Sequence, residues 1–259
     1  MSTMTATLAS ETTRRTRYTP PGNQQQIKLS GALSLRPTRR QAIGQTVDMF
    51  SGAVQKKAGH HLLREDEVLY FAGDIAVLSK PCVSIVGTRE ATEEGAGRAR
   101  RLAKFLARND IVVVSGLALG IDTHAHSACL EAGGRTMAVL GTPLEKCSPM
   151  QNARLQERIY TDHLLITQFS PGAAVFPANF PTRNKLMATL SDATVIIEAS
   201  DSSGTLHQAA ECQRLGRHLV ILKSVVDTPS LTWPKKFVKQ PNVHVLEQPE
   251  DILRVLGLS

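Results

Sequence analysis

Small and hydroxyl-bearing residues follow three of the apolar runs that we predict to be strands, at the places where helices begin. They are Gly87 and Thr88 after the first strand, Ser115, Gly116 and Gly120 after the second, and Ser202, Ser203 and Gly204 after the fifth. Backbone amides at the start of a helix attract anions, and small side chains let an anion approach closely. Three such loops at one edge of a sheet therefore predict a phosphate-binding groove.

Charged side chains accompany these loops. Arg89 directly follows Thr88, Asp122 stands beside Gly120, and Arg183-Asn184-Lys185 begins a further helix close to the same edge. An arginine at the end of a buried strand indicates an anion, which could be a nucleotide phosphate, a nucleic-acid backbone or a carboxylate such as Glu198. Asp122, taken alone, is expected to cap the helix that starts there rather than to contact a ligand.

The elements that position these residues alternate between strand and helix. Apolar runs predict strands at 83–87, 111–116, 136–141, 163–168, 193–200 and 218–223, and helices are predicted near 94–108, 121–132, 151–159, 183–190 and 204–215. Strands that are apolar throughout are typical of a parallel sheet covered on both faces. We therefore predict an α/β, Rossmann-like fold with a mostly parallel sheet and helices on both faces. In such sheets, ligands bind beyond the carboxyl ends of the strands.

The net charge is concentrated in the N-terminal part of the chain. The protein has a formal net charge of +7, and residues 1–60 hold nine Lys/Arg and two Asp/Glu, which accounts for the whole excess. A basic arm on a neutral body fits contact with nucleic-acid phosphates, because Lys and Arg displace their counterions. A solvated tail is the alternative interpretation.

Composition divides the chain into three regions. Residues 1–36 are rich in Ser, Thr, Gln, Arg and Pro and are predicted to be a disordered basic arm. Residues 37–60 are predicted to form an amphipathic helix and linker, with Ile43, Val47 and Phe50 on one face, which docks on the main body or on a second subunit. Residues 61–259 are predicted to form the Rossmann-like domain.

Several other classes of protein and site are not indicated. The four cysteines are far apart without CxxC pairing, which indicates reduced thiols in the cytoplasm rather than disulfides or a zinc site. No run approaches the roughly 18 apolar residues of a membrane span, and the N-terminus lacks the apolar stretch of a signal peptide. His126 lies one turn after Asp122, so the two could hold a metal ion, but no third ligand is in view. Cys147 has no paired base in the sequence. We therefore expect neither a metal site at His126 nor a nucleophile at Cys147.

Five segments resemble, in order and in spacing, the DprA/Smf family of DNA-processing proteins. They are "VSIVGTR", "VVVSGLALGIDTHAH", "AGGRTMAVLG", "FPTRNKLMATLSDATVIIEAS" and "SGTLHQAAECQRLGR". The resemblance implies a Rossmann-like domain that binds single-stranded DNA without catalysis or cofactor and forms a homodimer. It also implies hand-over of the DNA to a RecA-type recombinase during natural transformation.

The same resemblance assigns roles to residues. Arg89 matches the family arginine that contacts the DNA backbone, and Arg183 and Lys185 match the basic pair of the R-N-R/K motif. The S-G-x-A-x-G-I-D loop of the family matches the stretch from Ser115 to Asp122. Aromatic residues, which could stack on bases, make up only 4% of the chain. We therefore expect backbone-dominated, sequence-independent binding.

Two further functions are compatible with this fold. The predicted fold also resembles that of the lysine-decarboxylase-like phosphoribohydrolases, which cleave the N-glycosidic bond of nucleotides through the glutamate of P-G-G-x-G-T-x-x-E. The corresponding stretch here is "SDSSGTLHQ", with Gln208 in place of that glutamate. An amide cannot exchange protons as a carboxyl group does, so hydrolysis is not expected. A sensor that binds a free nucleotide in the groove remains the alternative, and the basic arm favours the polymer.

Overall fold

The strands form one sheet in the computed structural model, which describes residues 17–36 and 63–258. Within this part of the chain the sheet has nine strands in the order β1-β2-β6-β5-β4-β3-β7-β8-β9. In chain order they are β1 Gln25–Lys28, β2 Val68–Gly73, β3 Cys82–Gly87, β4 Val112–Ser115, β5 Thr136–Val139, β6 Leu164–Thr167, β7 Ala193–Glu198, β8 His218–Leu222 and β9 Val243–Leu246. The strands from β6 across to β9 pair in parallel, whereas β1 and β2 pair antiparallel at one edge. The prediction of a mostly parallel α/β sheet is confirmed.

The six predicted strands are β3 to β8. Every residue of β4, β5 and β6 is buried, as their continuous apolar sequences require when helices cover both faces of a sheet. The buried residues of the sheet and its helices form one large apolar cluster and a smaller one under β5 and β6.

Helices follow most of the strands. In chain order within the described residues they are α1 Leu29–Ser34, α2 Glu93–Arg108, α3 Ile121–Glu131, α4 Ala153–Asp162, α5 Asn179–Leu190, α6 Thr205–Arg214, α7 Lys223–Val226, α8 Trp233–Phe237 and α9 Asp251–Leu256. The five predicted helices correspond to α2 through α6. The start of α2 is stabilised by an N-cap interaction, in which Thr92 Oγ1 accepts a hydrogen bond from Gly95 N at 3.0 Å.

The connections place the helices on two faces and create a switch point. The chain steps from β3 through β4 and β5 to β6 in one direction, and then returns to place β7 on the other side of β3. Because parallel crossovers are right-handed, α2, α3 and α4 lie on one face and α5 and α6 on the other. The connections that leave the carboxyl ends of β3 and β7 therefore diverge toward opposite faces, which is where such sheets bind ligands.

The segment 17–36 is ordered, in contrast to the prediction of a disordered arm over that range. Gln25–Lys28 pairs with β2, and the Tyr18 hydroxyl donates to the Leu144 carbonyl oxygen at 2.7 Å. Composition favours disorder because the segment is polar. A short strand at a sheet edge, however, is held in place by backbone hydrogen bonds to the neighbouring strand. It does not need buried side chains of its own.

One basic residue of this segment is structural. Arg36 is buried, donates to the Leu190 carbonyl oxygen and forms an ion pair with Asp192. Asp192 also accepts a hydrogen bond from Cys82 N at 2.9 Å, which links the segment to the start of β3. The predicted helix and linker at 37–60 lies outside the described residues. In the described ranges, no helix combines the length and apolar character that crossing a membrane requires.

Candidate functional site

A groove of about 770 Å³ opens at the carboxyl ends of β3 and β7. Eight of the thirteen predicted site residues line it, namely Gly87, Thr88, Arg89, Asp122, Arg183, Asn184, Ser203 and Gly204. The other five lie outside its lining, namely Ser115, Gly116, Gly120, Lys185 and Ser202. The predicted loops therefore meet at one edge, but not all of them face the same space.

Arg89 is the exposed cation of this groove. Its guanidinium carbon lies 5.7 Å from the centroid of the Phe180 ring, a cation–π distance. Among the residues that the structure describes, no carboxylate lies within ion-pair distance of Arg89. Its guanidinium is therefore held beside an aromatic ring and available to an anion from solution.

Glu198, the alternative partner of Arg89, has other contacts. Its Oε2 accepts hydrogen bonds from Thr92 N at 3.1 Å and Thr92 Oγ1 at 3.2 Å. Gly95 makes room for this carboxylate, because a Cβ there would lie 2.0 Å from Oε2. Glu198 thus holds the start of α2 at the end of β7 and does not neutralise Arg89.

The amides of the loop between β4 and α3 are bound by a carboxylate of the protein itself. Asp122 Oδ2 accepts hydrogen bonds from Gly116 N at 3.1 Å and Ala118 N at 3.3 Å. Burial raises the pKa of Asp122 above its ordinary value, and the Arg183 guanidinium opposes that shift. The amides that the sequence predicts to hold a phosphate here bind this side chain instead. Ser115 is fully buried, and its Oγ donates to the Ile85 carbonyl oxygen at 2.7 Å.

Arg183 is buried against the same loop, with 5% of its surface exposed. One terminal nitrogen donates to the Gly116 carbonyl oxygen and, at 2.9 Å, to the Val139 carbonyl oxygen. Burial lowers the pKa of the guanidinium from its ordinary value, although Asp122 opposes this. Arg183 joins the ends of β4 and β5 to α5, and Gly116 is needed because a Cβ would lie 1.8 Å from its guanidinium.

Gly120 is required by the backbone rather than by a ligand. Its φ is +73°, and a Cβ would lie 2.4 Å from the Thr88 carbonyl oxygen and 2.5 Å from that of Arg89. Only glycine combines this positive φ with so close an approach. The residue therefore packs the start of α3 against the loop that carries Arg89.

The loop between β7 and α6 remains open. The Ser203 hydroxyl accepts a hydrogen bond from Thr205 N at 3.2 Å, and Thr205 Oγ1 donates to the Gly87 carbonyl oxygen at 3.3 Å. The backbone of Gly204 is exposed, and within the described residues its amide has no acceptor. Ser202 lies just outside the lining, with its Oγ 3.3 Å from that of Ser200. The start of α6 therefore offers an anion site beside Arg89.

The remaining motif residues on α5 differ in placement. Asn184 lines the groove, and its Oδ1 accepts a hydrogen bond from Arg183 Nε at 2.9 Å. Lys185 is the next residue along the helix, so its side chain leaves the helix in a different direction. It is half-buried and lies outside the groove lining. The predicted basic pair thus has different surroundings, since Arg183 is buried against the loop after β4 and Lys185 is half-buried outside the groove lining.

An apolar rim was missed from the sequence. Val175 and Phe176 line the groove with 37% and 60% of their surfaces exposed. Leu119 and Met150, also exposed, each lie within two residues of a lining residue. The signal is present in "AAVFPANF", where two phenylalanines flank a proline in a stretch without regular apolar periodicity. Such exposed apolar side chains around a groove indicate a ligand with apolar surfaces.

His126 and Cys147 have structural surroundings. His126 is fully buried, with Nδ1 2.7 Å from Thr136 Oγ1, and burial lowers its pKa to about 3. Burial also raises the pKa of the Cys147 thiol to about 11. Across residues 17–36 and 63–258, no group of three or more His, Cys, Asp or Glu is placed to hold a metal ion.

Comparison with known proteins gives the family. The family model described as DNA recombination-mediator protein A matches residues 58–257. The chain belongs to this family, the DprA/Smf proteins. The DNA processing protein DprA of Streptococcus pneumoniae is 37% identical to it over 161 residues, which are 62% of this chain and 57% of that protein. Protein Smf of Synechocystis is 38% identical over 164 residues, which are 62% of this chain and 41% of that protein.

Solved DprA structures share the fold. The X-ray structure of DprA from Streptococcus pneumoniae has a TM-score of 0.67 and 32% identity, covering 74% of this chain and 67% of that one. DprA from Helicobacter pylori, whose structure is described as giving insights into its single-stranded DNA binding mode, has a TM-score of 0.67 and 25% identity over 79% of this chain and 94% of that one. This DprA/Smf chain spans about half the length of the two curated relatives.

Proposed function

We propose that this DprA/Smf protein binds single-stranded DNA in the groove between β3 and β7, without regard to sequence, as part of DNA processing and recombination. The observation that carries the proposal is the position of Arg89, an exposed guanidinium that lies against Phe180 inside a groove with an apolar rim. Single-stranded DNA presents the two chemistries that this site can contact, namely phosphates and the faces of bases.

The phosphate contacts come from the two open loops. Arg89 donates charge-assisted hydrogen bonds to phosphate oxygens, and the Gly204 amide at the start of α6 lies in the same groove beside it. Thr88, Asn184 and Ser203 provide polar groups between these two points. We assign these groups to the sugar-phosphate backbone, whose contacts carry no sequence information, so we expect affinity to be independent of sequence.

The apolar rim favours a single strand over a duplex. Phe176 and Val175 stand at the mouth of the groove, where the bases of an unpaired strand can stack on them. In duplex DNA the base faces are stacked inside the helix and cannot reach these side chains. Phe176 and Phe180 supply the stacking surface that the low aromatic content of the chain does not suggest.

The five predicted residues outside the groove lining have an indirect role in this proposal. Ser115, Gly116 and Gly120 set the backbone of the β4–α3 loop, against which the Arg89 loop packs. Lys185 and Ser202 add to the polar surface next to the groove. We assign direct contact with DNA to the lining residues of the loops after β3 and β7 and to Asn184, and not to Asp122 and Arg183, whose polar groups bond within the protein.

We extend the proposal to hand-over of the DNA to a RecA-type recombinase in natural transformation, to a homodimer formed through the Rossmann-like domain, and to action in the cytoplasm. These parts rest on the family resemblance. Pull-down of a RecA-type recombinase and sedimentation of the isolated protein test the first two independently of DNA binding.

The second candidate is a sensor that binds a free nucleotide in the same groove. It is favoured by the small number of phosphate sites, since Arg89 and the start of α6 could hold a single phosphate group. Hydrolysis of such a nucleotide is not proposed, because Gln208 is buried and its Nε2 donates to Thr194 Oγ1 at 3.1 Å. An amide held in this way provides no general acid.

Fluorescence anisotropy with labelled oligothymidylate tests the proposal. The protein is titrated against the single strand, a duplex of equal length, and the single strand in the presence of thymidine monophosphate. We expect tighter binding of the single strand than of the duplex. Thymidine monophosphate should not displace the oligonucleotide when its concentration equals the oligonucleotide concentration that saturates the protein. Displacement of the oligonucleotide by low concentrations of mononucleotide would favour the sensor.

A further inference from the structure

A second group of cations lies next to the groove, on the outer surface of α4. The α4 basic face consists of Arg17, Arg154 and Arg158, all of which are exposed. Arg154 and Arg158 are one turn apart on the helix, so their side chains share one face. Within the described residues none of the three has a carboxylate at ion-pair distance, whereas Arg98, Arg100 and Lys104 on α2 each do.

The chain connects this face directly to the groove. Ser148 lines the groove, and the short turn Met150–Asn152 leads from it into α4. The basic face therefore begins at the sheet edge where the groove opens. Met150, with 44% of its surface exposed, lies between the two and continues the apolar rim.

The N-terminal segment fixes a third cation in the same place. The Tyr18 hydroxyl donates to the Leu144 carbonyl oxygen, and Thr19 N donates to Glu157 Oε1 at 2.6 Å. These bonds tie the segment to α4 and hold Arg17 beside it. The Glu157 carboxylate, which lies between the arginines in sequence, accepts the bond from the Thr19 amide.

We propose that the α4 basic face binds the phosphates of single-stranded DNA as the strand leaves the groove past Ser148, so that the footprint of the protein extends over α4. The inference rests on the proposed function, since the same strand occupies both surfaces. Arg154 and Arg158 on one face of α4, with Arg17 in the segment tied alongside, have no carboxylate partners among the described residues and repel one another unless an anion is bound. A DNA backbone supplies evenly spaced anions along such a face.

The test compares two double substitutions that remove equal charge. Arg154→Gln with Arg158→Gln alters the α4 basic face. Arg101→Gln with Arg108→Gln is the matched control, because these two arginines are exposed and have no carboxylate partner within the described residues, but lie on α2 rather than on α4. Thermal unfolding confirms that both variants are folded.

Affinity for an oligothymidylate of about 20 nucleotides, longer than the roughly 4–16 nucleotides of typical single-strand sites, is measured across salt concentrations. The α4 variant should lower the slope of log affinity against log salt by about 1.4, at roughly 0.7 for each phosphate that the protein no longer neutralises. The control should leave the slope nearly unchanged. Equal reductions in the two variants, or no reduction in either, would overturn the inference and leave an acidic protein as the partner to test.

Arg89→Ala, measured with the same oligonucleotide, separates this inference from the proposed function. If Arg89→Ala weakens binding and the α4 variant does not, the groove stands and the extended footprint fails. If Arg89→Ala has no effect while the α4 variant lowers the slope, the groove assignment fails and the strand lies on α4.

Discussion

Two loops at the same sheet edge look alike in sequence and differ in what occupies them. Arg89, in the loop after β3, faces the groove with no carboxylate partner among the described residues, and the open loop that starts α6 lies beside it. The loop after β4 is filled from within, since the Asp122 carboxylate accepts its amides and Arg183 donates to its Gly116 carbonyl oxygen. A glycine-rich loop at a strand end thus has its amides available to an external anion only where the protein has not supplied an acceptor of its own.

The largest difference between the two regions should appear on removal of Arg183. Arg183→Ala is expected to lower the free energy of unfolding by about 2–6 kcal/mol, because two buried carbonyl groups lose their donor at about 1–3 kcal/mol each. Urea denaturation measures this. Arg101→Ala, an exposed arginine on α2, is the control and should change stability little. A stable Arg183→Ala protein that has lost DNA binding would instead make Arg183 a ligand contact.

Arg89→Ala should show the opposite behaviour. Because Arg89 is exposed, the free energy of unfolding should stay within about 0.5 kcal/mol of the original value. Binding of single-stranded DNA should weaken by about 1–3 kcal/mol, as expected for the loss of charge-assisted hydrogen bonds. Anisotropy titration and urea denaturation on the same sample give both numbers. Retained affinity in a folded variant would remove Arg89 from the site.

Stability should also depend on pH through His126, which is fully buried on α3. Its pKa is lowered by burial from an ordinary value of 6.5 to about 3, so the unfolded chain binds a proton below pH 6.5 that the folded protein does not. Stability from this residue is therefore present above pH 6.5 and is lost as the pH falls toward 3, by up to about 1.4 kcal/mol per pH unit.

The check is the slope of unfolding free energy against pH between 6.5 and 4. His126→Asn should flatten that slope, whereas the exposed His207, changed to Asn as the control, should not. An identical slope in His126→Asn would show that another group governs the acid transition.

The smallest effect is expected at the groove mouth. Phe176→Ala should weaken single-strand binding by about 1 kcal/mol, near the lower end for a base stacked on an aromatic ring, because the ring is already 60% exposed. Duplex binding should be unaffected, so the preference for single strands should fall. Phe176→Tyr should retain the preference. A decrease that is equal for duplex and single strand would mean that Phe176 supports the loop rather than stacks on bases.

The parts of the fold that sequence could predict are those with continuous apolar character. β3 to β8 are buried on both faces, so their sequences show it without reference to neighbours. β1 could not be found in this way, because "QQIK" is mostly exposed and becomes a strand only beside β2. β9 is similar, with one fully buried residue, Leu246.

The candidate site was predicted at the level of loops but not of side-chain direction. The position of a glycine or serine after a strand places it at the correct edge, which is why eight of the thirteen residues line the groove. Burial of Arg183 depends on α5 crossing the ends of β4 and β5, a contact between segments 67 and 44 residues apart in sequence. A motif gives the residue type for such a contact, and the packing of the crossover decides whether it faces a ligand or the core.

Hydrogen exchange with and without bound oligothymidylate distinguishes the open loops after β3 and β7 from the loop after β4, because it observes all of them in one sample. We expect slower exchange at 87–90, 175–184 and 200–206 when DNA is bound. We expect no change at 115–120, where the Gly116 and Ala118 amides already donate to Asp122. Protection at 115–120, without protection in the loops after β3 and β7, would contradict binding in the groove. The DNA would then contact the loop whose amides already donate to the Asp122 carboxylate.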